Sequence, residues 1–145
     1  MYFIDRDKME ETLQFLEIQL ETFTSQKEWN TAIEKAALER IIHTVIESIL
    51  DVGNSMIDGF IMRDPGSYED IVDILTDEKV VTDELSAALK KVIGFRKEIV
   101  QHYTKIDHSE IENVFKENLD EVKQFPTKVR DYLTNELGPV SAFKR

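Results

Sequence analysis

Apolar side chains recur every three or four positions along most of the chain, which is the spacing of one face of an α-helix. Helix breakers are few, since the 145 residues include only five glycines and three prolines. The pattern predicts helices over residues 6–25, from the N-cap Asn30 to Met62 with Ile33 on the apolar face, over about 68–77 after the cap Ser67, from the N-cap Thr82 to about Ile106, and from Asp107 onward. Asp107 and Glu110 resemble a capping box, and Pro126 is expected to kink or restart the last helix.

These elements predict an all-α fold, an up-and-down bundle of four or five helices. No linker divides the chain, so we expect one domain over residues 1–137 and a flexible C-terminal tail over residues 138–145. No run approaches the roughly 20 apolar residues that span a bilayer. The start is acidic, unlike a signal peptide, and cysteine is absent, so a cytoplasmic location is expected.

The composition excludes several kinds of chemistry. Without cysteine there is no disulfide, thiolate nucleophile or cysteine-ligated zinc. The three histidines are too few for a zinc site without help from carboxylates, and no glycine-rich phosphate loop is present. We therefore expect neither a metal nor a cofactor.

The charge is strongly acidic but unevenly distributed. A formal net charge of −11 argues against indiscriminate binding of nucleic acid. Residues 84–105 depart from this, because five cations face two carboxylates there and the window is net +3. The five cations are Lys90, Lys91, Arg96, Lys97 and Lys105. A local basic groove is therefore compatible with the acidic chain.

One position interrupts the apolar face of the predicted fourth helix. The face reads Leu85, Leu89, Val92, Arg96, Ile99, Tyr103 and Ile106. A guanidinium cannot lose its charge, so Arg96 lies either at the rim of a packed face or in a site. In a site, Arg96 would hold a phosphate and His102 would move a proton. At a rim, Arg96 would extend from the core edge, and Tyr103 would be ordinary core.

The same stretch carries a family resemblance. RKEIVQHYTKID, residues 96–107, resembles the signature of the HepT-like ribonucleases of the HEPN superfamily. That signature is an arginine, usually followed by Asn, then a hydrophobic pair, a histidine, any residue, and a tyrosine ahead of Ile-Asp. ERIIHTVIESILDVGNSMI resembles the family's second helix, and DPGSYEDIVDILTDEKVV resembles its Pro-Ser-Tyr turn and short helix. The resemblance covers about residues 10–115.

The resemblance implies a HEPN-like homodimer in which the arginine and histidine of both chains line one cleft. Family members cleave RNA without a metal, and many are toxins paired with a small nucleotidyltransferase antitoxin that transfers AMP onto the signature tyrosine, here Tyr103. It implies that Arg96 binds the RNA phosphate and that His102 acts as acid or base. We expect RNA contact to be confined to Lys90, Lys97 and Lys105, and neither DNA nor a membrane to be a partner.

The sequence departs from the signature at two positions. Aligned without a gap, the position of the family's histidine holds Gln101, with His102 beside it, and Lys97 stands where Asn is usual. Positions 101 and 102 of a regular helix point about 100° apart. Either a local distortion brings His102 into the site beside Gln101, or catalysis is weak or lost. The alternatives are a catalytically degenerate HEPN module that binds a nucleotide or a nucleotidyltransferase, and a dimeric helical interaction protein without a ligand.

A polar line on the second helix offers a partner for Arg96. It comprises Arg40, Thr44, Glu47, Asp51, Asn54 and Asp58. Our hypothesis is that Asp51 or Glu47 orients Arg96 across the bundle. The alternative is that these residues form a solvated face.

Overall fold

A computed structural model of the chain describes residues 4–138, and this part is helical, without strands. The segments are α1 (Arg6–Ser25), α2 (Ala32–Gly59), α3 (Tyr68–Asp77), α4 (Asp83–Ile93), α5 (Arg96–Gln101), a 3₁₀ turn (Tyr103–Lys105), α6 (His108–Glu117), α7 (Leu119–Val122) and α8 (Phe125–Leu137). The predicted all-α class is confirmed. None of the helices in these residues is long and apolar enough to cross a membrane.

Helix α2 is the central element, because it packs against α1, α3, α4, α5 and α6. Its fully buried side chains include Leu38, Ile42, Ile46, Ile49 and Met56. Burying one such side chain stabilises the fold by roughly 1.5–3 kcal/mol relative to exposing it. Helix α8 packs on α1 and α7 packs on α4, so all the helices share one core.

The ends of α2 differ from the prediction. Thr31 rather than Asn30 is the N-cap, since Thr31 Oγ1 accepts the Glu34 amide at 3.1 Å and Glu34 Oε1 accepts the Thr31 amide at 2.9 Å. The helix ends at Gly59, before Met62, where Ile61 has a left-handed φ of 57°. Ile33, expected on the apolar face, is 83 % exposed, because the first turn of α2 extends beyond the core.

The predicted fourth helix is interrupted at Gly94 and Phe95, so the expectation of one continuous helix was wrong. The Phe95 amide donates to the Val92 carbonyl at 3.1 Å, a tight i−3 bond that ends α4. Glycine costs a helix interior roughly 1 kcal/mol relative to alanine, which favours a break at this point. The interruption separates α4, which packs on α3 and α7, from α5, which packs on α2.

The caps of the later helices follow the sequence closely. Asp107 Oδ1 accepts the Glu110 amide at 3.1 Å, as predicted, but the Asp107 amide donates to Glu98 Oε2 at 2.9 Å. The second half of the predicted capping box is therefore made by Glu98 rather than Glu110. Pro126 lies in the first turn of α8, so a new helix starts there, as predicted. Of the predicted tail, residues 139–145 lie outside the described residues.

Helix α3 is held in place by an ion pair at its start and by close packing on α2. In the turn before it, Arg63 Nη1 and Nη2 donate to Asp70 Oδ2 and Oδ1 at 2.8 and 2.9 Å, and the Gly66 amide donates to Oδ2 at 2.8 Å. The hydrogen bonds from Arg63 and then Gly66 lower the pKa of Asp70 to about 2. On the inner face, a Cβ placed on Gly53 of α2 would lie 2.6 Å from Ile71 Cγ2. The glycine therefore permits the close contact between α2 and α3.

Gly53→Ala is expected to destabilise the protein although alanine is the better helix former. The steric cost of overpacking, roughly 1–3 kcal/mol, exceeds the gain in helix propensity of roughly 1 kcal/mol. Urea unfolding followed by circular dichroism measures the difference. Gly66→Ala is the matched control, because its Cβ would meet only Asp70 Oδ2, at an ordinary 3.7 Å. Equal or greater stability of the Gly53 variant would contradict the close packing.

Candidate functional site

Arg96 is the first residue of α5, and its guanidinium is held between α2 and α3. Its Nε donates to Glu47 Oε2 at 2.7 Å, and Nη2 approaches Oε1 at 3.5 Å. The guanidinium carbon lies 4.5 Å from the centre of the Tyr68 ring, which is a cation–π contact. Arg96 therefore leaves the apolar stripe at its rim and is fixed in one direction by a carboxylate and an aromatic ring.

The electrostatics of this pair keep Arg96 charged and partly available. The hydrogen bond that Arg96 donates to Glu47 raises the pKa of Arg96, desolvation opposes that shift only in part, and the charge of Glu47 adds to the increase. The Arg96 side chain is 24 % exposed. Arginine carries five N–H donors, and Glu47 engages two of them, which leaves three without a partner within residues 4–138. Such a group can bind a phosphate oxygen while Glu47 holds its other edge.

Of the two carboxylates considered as partners for Arg96, Glu47 makes the contact and Asp51 does not. Asp51 lies one turn further along α2, is exposed and forms no hydrogen bond with a described residue. It instead borders a hollow of about 470 Å³ beside the start of α1. The hollow is lined by Asp5, Lys8, Met9, Thr12, Asp51, Val52, Asn54, Ser55 and Asp58.

Gln101 and His102 are both exposed at the end of α5. The His102 amide still donates to the Glu98 carbonyl at 3.1 Å. The backbone of His102 itself departs from the helix, with φ −108° and ψ 40° where a helix has about −63° and −42°. A local distortion is therefore present at His102, where α5 gives way to the 3₁₀ turn.

Tyr103 is 66 % exposed, so the expectation that it would be ordinary core was wrong. It begins the 3₁₀ turn that follows α5 and lies beside another exposed apolar residue, Val100. A tyrosine hydroxyl in this position is accessible to a second macromolecule.

The three lysines expected to contact RNA are in different situations. Lys90 on α4 forms a salt bridge with Asp73 on α3, which raises the pKa of Lys90. Lys97 and Lys105 are exposed and have no ion-pair partner in the described part of the chain. Lys97 and Lys105 are therefore available cations, whereas Lys90 is largely neutralised by its partner.

Sequence reasoning missed two residues that the fold brings to Arg96. Tyr68 stacks on its guanidinium, and His43 Nε2 lies 4.0 Å from Glu47 Oε2. The signals were present, since Tyr68 follows a Pro-Gly-Ser turn and His43 precedes Glu47 by one helical turn. Their proximity to Arg96 depends on how α3 and α5 pack against α2, and the periodicity of a single helix does not reveal that packing.

The remaining histidine is paired elsewhere. His108 Nε2 lies 2.6 Å from Glu39 Oε2, which ties the start of α6 to α2. Across residues 4–138, histidine and carboxylate side chains form no group of three that could hold a metal ion.

Comparisons with known proteins identify the family of the chain. The family model described as "Ribonuclease HepT-like" matches residues 6–129. The chain belongs to the HepT-like ribonuclease family. The match includes Glu47, Tyr68 and the whole segment from Arg96 to Tyr103, so the predicted family is confirmed.

One relative is similar over its entire length. The protein named "Putative RNase YutE" from Bacillus subtilis (strain 168) is 56% identical over 144 residues, which cover 99% of this chain and 100% of that protein. A solved structure, described as "Structure of Cytosolic Protein of Unknown Function YutE from Bacillus subtilis", matches with a TM-score of 0.95 and 55% identity. It covers 99% of this HepT-like chain and 100% of its own.

A more distant structure shares the fold alone. It is described as "Crystal structure of the toxin-antitoxin with AMP-PNP" and matches with a TM-score of 0.73 at 17% identity. The match covers 86% of this chain and 96% of that one. The HepT-like helical fold thus persists where most side chains differ.

Glu47→Ala and Arg96→Ala are expected to be non-additive in stability. The pair is partly exposed, so we expect a coupling free energy of roughly 0.5–1 kcal/mol that decreases at high salt. Urea unfolding of both single variants and the double variant, at low and high salt, measures it. Asp51→Ala is the control and is expected to leave stability unchanged. Additive effects of the two variants would show that the contact does not hold Arg96.

Proposed function

We propose that this HepT-like protein is a metal-independent endoribonuclease in which Arg96 binds the phosphate that is cleaved. The observation that carries the proposal is the fixed, partly exposed guanidinium of Arg96 between Glu47 and Tyr68. A positive charge held in place before the substrate arrives stabilises negative charge that develops on a phosphate, without the cost of reorganisation.

The reaction is an attack of the ribose 2′-hydroxyl on the adjacent phosphorus. The bond between the 2′ oxygen and phosphorus forms as the bond from phosphorus to the 5′ oxygen breaks. A base takes the proton of the 2′-hydroxyl, and an acid protonates the departing 5′ oxygen. His102 serves as acid or base, and its exposure at the end of α5 leaves it accessible to RNA. Gln101 donates or accepts a hydrogen bond but cannot transfer a proton as imidazole does.

RNA is held by a small basic surface rather than by the whole protein. Lys97 directly follows Arg96, Lys105 lies four residues after Gln101, and both lack an ion-pair partner in the described residues. Lys90 contributes once RNA competes with Asp73 for its ammonium group. Asp51 is assigned to the polar rim of the same region. Since the rest of the surface is acidic, binding is confined to this groove and is strongly salt-sensitive.

The working unit is a homodimer in the cytoplasm, as the family resemblance implies. Exposed apolar groups at Val100, Tyr103 and Tyr68 lie around Arg96, and a second copy that covers them would bring two Arg96 side chains to one cleft. The partner is a nucleotidyltransferase antitoxin, and Tyr103 is the AMP acceptor. The 66 % exposure of Tyr103 supports this assignment, because a transferase must reach its hydroxyl.

A second function is favoured by Gln101. With no histidine at that position and His102 on a different side of the helix, the protein would be a catalytically degenerate HEPN module. It would then bind a nucleotide or a nucleotidyltransferase through Arg96 and Tyr103, without cleaving RNA.

The purified protein is expected to cleave total tRNA and mRNA in the presence of EDTA. Arg96→Ala is expected to lose at least roughly 100-fold in rate, which is the usual effect of removing one preorganised donor at a developing charge. His102→Ala tests the role of that histidine, and Lys123→Ala, at the C-cap of α7, is a control for charge alone.

Two results would contradict the enzyme proposal. Cleavage that survives Arg96→Ala would remove the role of the guanidinium. No cleavage by the parent, with activity gained on Gln101→His, would support the degenerate binding module instead.

A further inference from the structure

The face of α2 that receives Arg96 also carries a histidine. Glu39, His43 and Glu47 follow one another at intervals of four and therefore share one side of the helix. Glu47 binds Arg96, and Glu39 contacts His108 at 2.6 Å. His43 lies between them, and its Nε2 is 4.0 Å from Glu47 Oε2.

The contacts of Glu47 and Glu39 show where His43 lies relative to the segment that resembles the family signature. As the chain runs from Arg96 to His108, its contacts on α2 run backwards from Glu47 to Glu39. Those two carboxylates are eight residues apart on α2, about 12 Å along its axis. His43 is halfway, so its position on α2 falls between the two points at which the segment from Arg96 to His108 is tied to that helix.

The three histidines of the chain differ in the partners of their side chains. His108 is engaged by Glu39 and ties α6 to α2. The His102 side chain is exposed and forms no hydrogen bond or ion pair with another residue of the range 4–138. The His43 side chain is half-buried, 31 % exposed, and its Nε2 lies 4.0 Å from the carboxylate that orients Arg96. Of the three, His43 is the histidine that belongs to the Arg96 cluster.

We propose that His43 is the general base of this site and supplies, from α2, the imidazole that is missing at Gln101, while His102 keeps the role of acid. The inference rests on the proposed ribonuclease function and names its base. Glu47 Oε2 lies on the Nε2 side of the ring at 4.0 Å, which is longer than a hydrogen bond, and a tautomer with its proton on Nε2 leaves the lone pair of Nδ1 free. Carboxylates that orient an imidazole are recurrent in proton-transfer sites, where contacts that are long in the free protein shorten when substrate binds.

The reaction balances without another reactant. Nδ1 of His43 takes the proton of the 2′-hydroxyl as the 2′ oxygen forms its bond to phosphorus. The bond between phosphorus and the 5′ oxygen breaks, while Arg96 holds the charge on the remaining phosphate oxygens. His102, as the acid, gives a proton to the departing 5′ oxygen, because in-line attack places that oxygen on the opposite side of phosphorus from the 2′ oxygen. The products are a 2′,3′-cyclic phosphate and a 5′-hydroxyl end.

The test compares single-turnover cleavage of one RNA oligonucleotide by the full-length parent, His43→Ala and His43→Gln. Both variants are expected to lose roughly 100-fold or more in rate, the usual contribution of a positioned acid or base, with unchanged affinity for RNA. Free imidazole in the buffer is expected to restore part of the rate to His43→Ala, where it leaves room for the ring, and not to His43→Gln. A purely structural role for His43 would not give this rescue.

His108→Ala is the matched control, because His108 also contacts a glutamate on the same face of α2 but lies outside the Arg96 cluster. It is expected to lower the melting temperature and to keep the parent's rate. Thermal melting of every variant separates loss of fold from loss of chemistry.

Three results would overturn the inference, and they differ from each other. A His43→Gln variant that folds and keeps the parent's rate would exclude His43 as the base. Loss of rate in His102→Ala alone would assign the base to His102. A parent that cleaves no RNA in the same assay would overturn the proposed function, and the role of His43 with it.

Discussion

The contact between Arg96 and Glu47 determines the direction of the one charged group in an otherwise apolar helix face. Arg96 follows Val92 and precedes Ile99 on that face, and both of these neighbours are buried. A guanidinium at this position must leave the core, and Glu47 fixes where it goes. Because the pair is partly exposed, we assign it about 0–1 kcal/mol of stability. Its importance lies in orientation, whereas the buried side chains of α2 provide the stability.

Two features of the backbone make that orientation available. The interruption at Gly94 and Phe95 makes Arg96 the first residue of a separate short helix that rests on α2. The absence of a Cβ at Gly53 lets α3 approach α2 closely, and α3 begins with Tyr68. The guanidinium thus lies where three helices meet, with Glu47 at one edge and the Tyr68 ring against one face.

Local signals predicted the helices well where the cause was local. The bounds of α1 and α3 and the caps Ser67 and Thr82 follow from periodicity and short polar side chains, and the structure contains them. Ile33 was misplaced because an apolar pattern does not reveal where the core ends. The break at Gly94 was missed because a glycine costs a helix only roughly 1 kcal/mol. Packing of the neighbouring residues can offset that cost, so the glycine alone does not decide whether the helix breaks.

The candidate site was predictable only in part, for a similar reason. Arg96 was visible in the sequence as a charge on an apolar face, and Glu47 as one of two carboxylates able to reach it. Tyr68 and His43 join the cluster through the placement of α3 and α5 against α2, which no single helix encodes. Gln101 remains the clearest departure from the family signature, and the backbone of its neighbour His102 leaves the helical conformation, which the sequence pattern alone did not show.

The central claim is that Arg96 binds RNA phosphate, and NMR of the arginine side chains tests it most directly. The side-chain Nε–Hε resonances of the arginines can be followed by NMR during titration with a 2′-O-methyl oligoribonucleotide, which cannot undergo attack by its 2′ oxygen. The account predicts that the Arg96 resonance shifts as binding saturates. The resonance of Arg130, which Glu10 and Glu17 hold on α8, is expected to stay in place. An unchanged Arg96 resonance at saturation, with shifts at other arginines, would contradict the account.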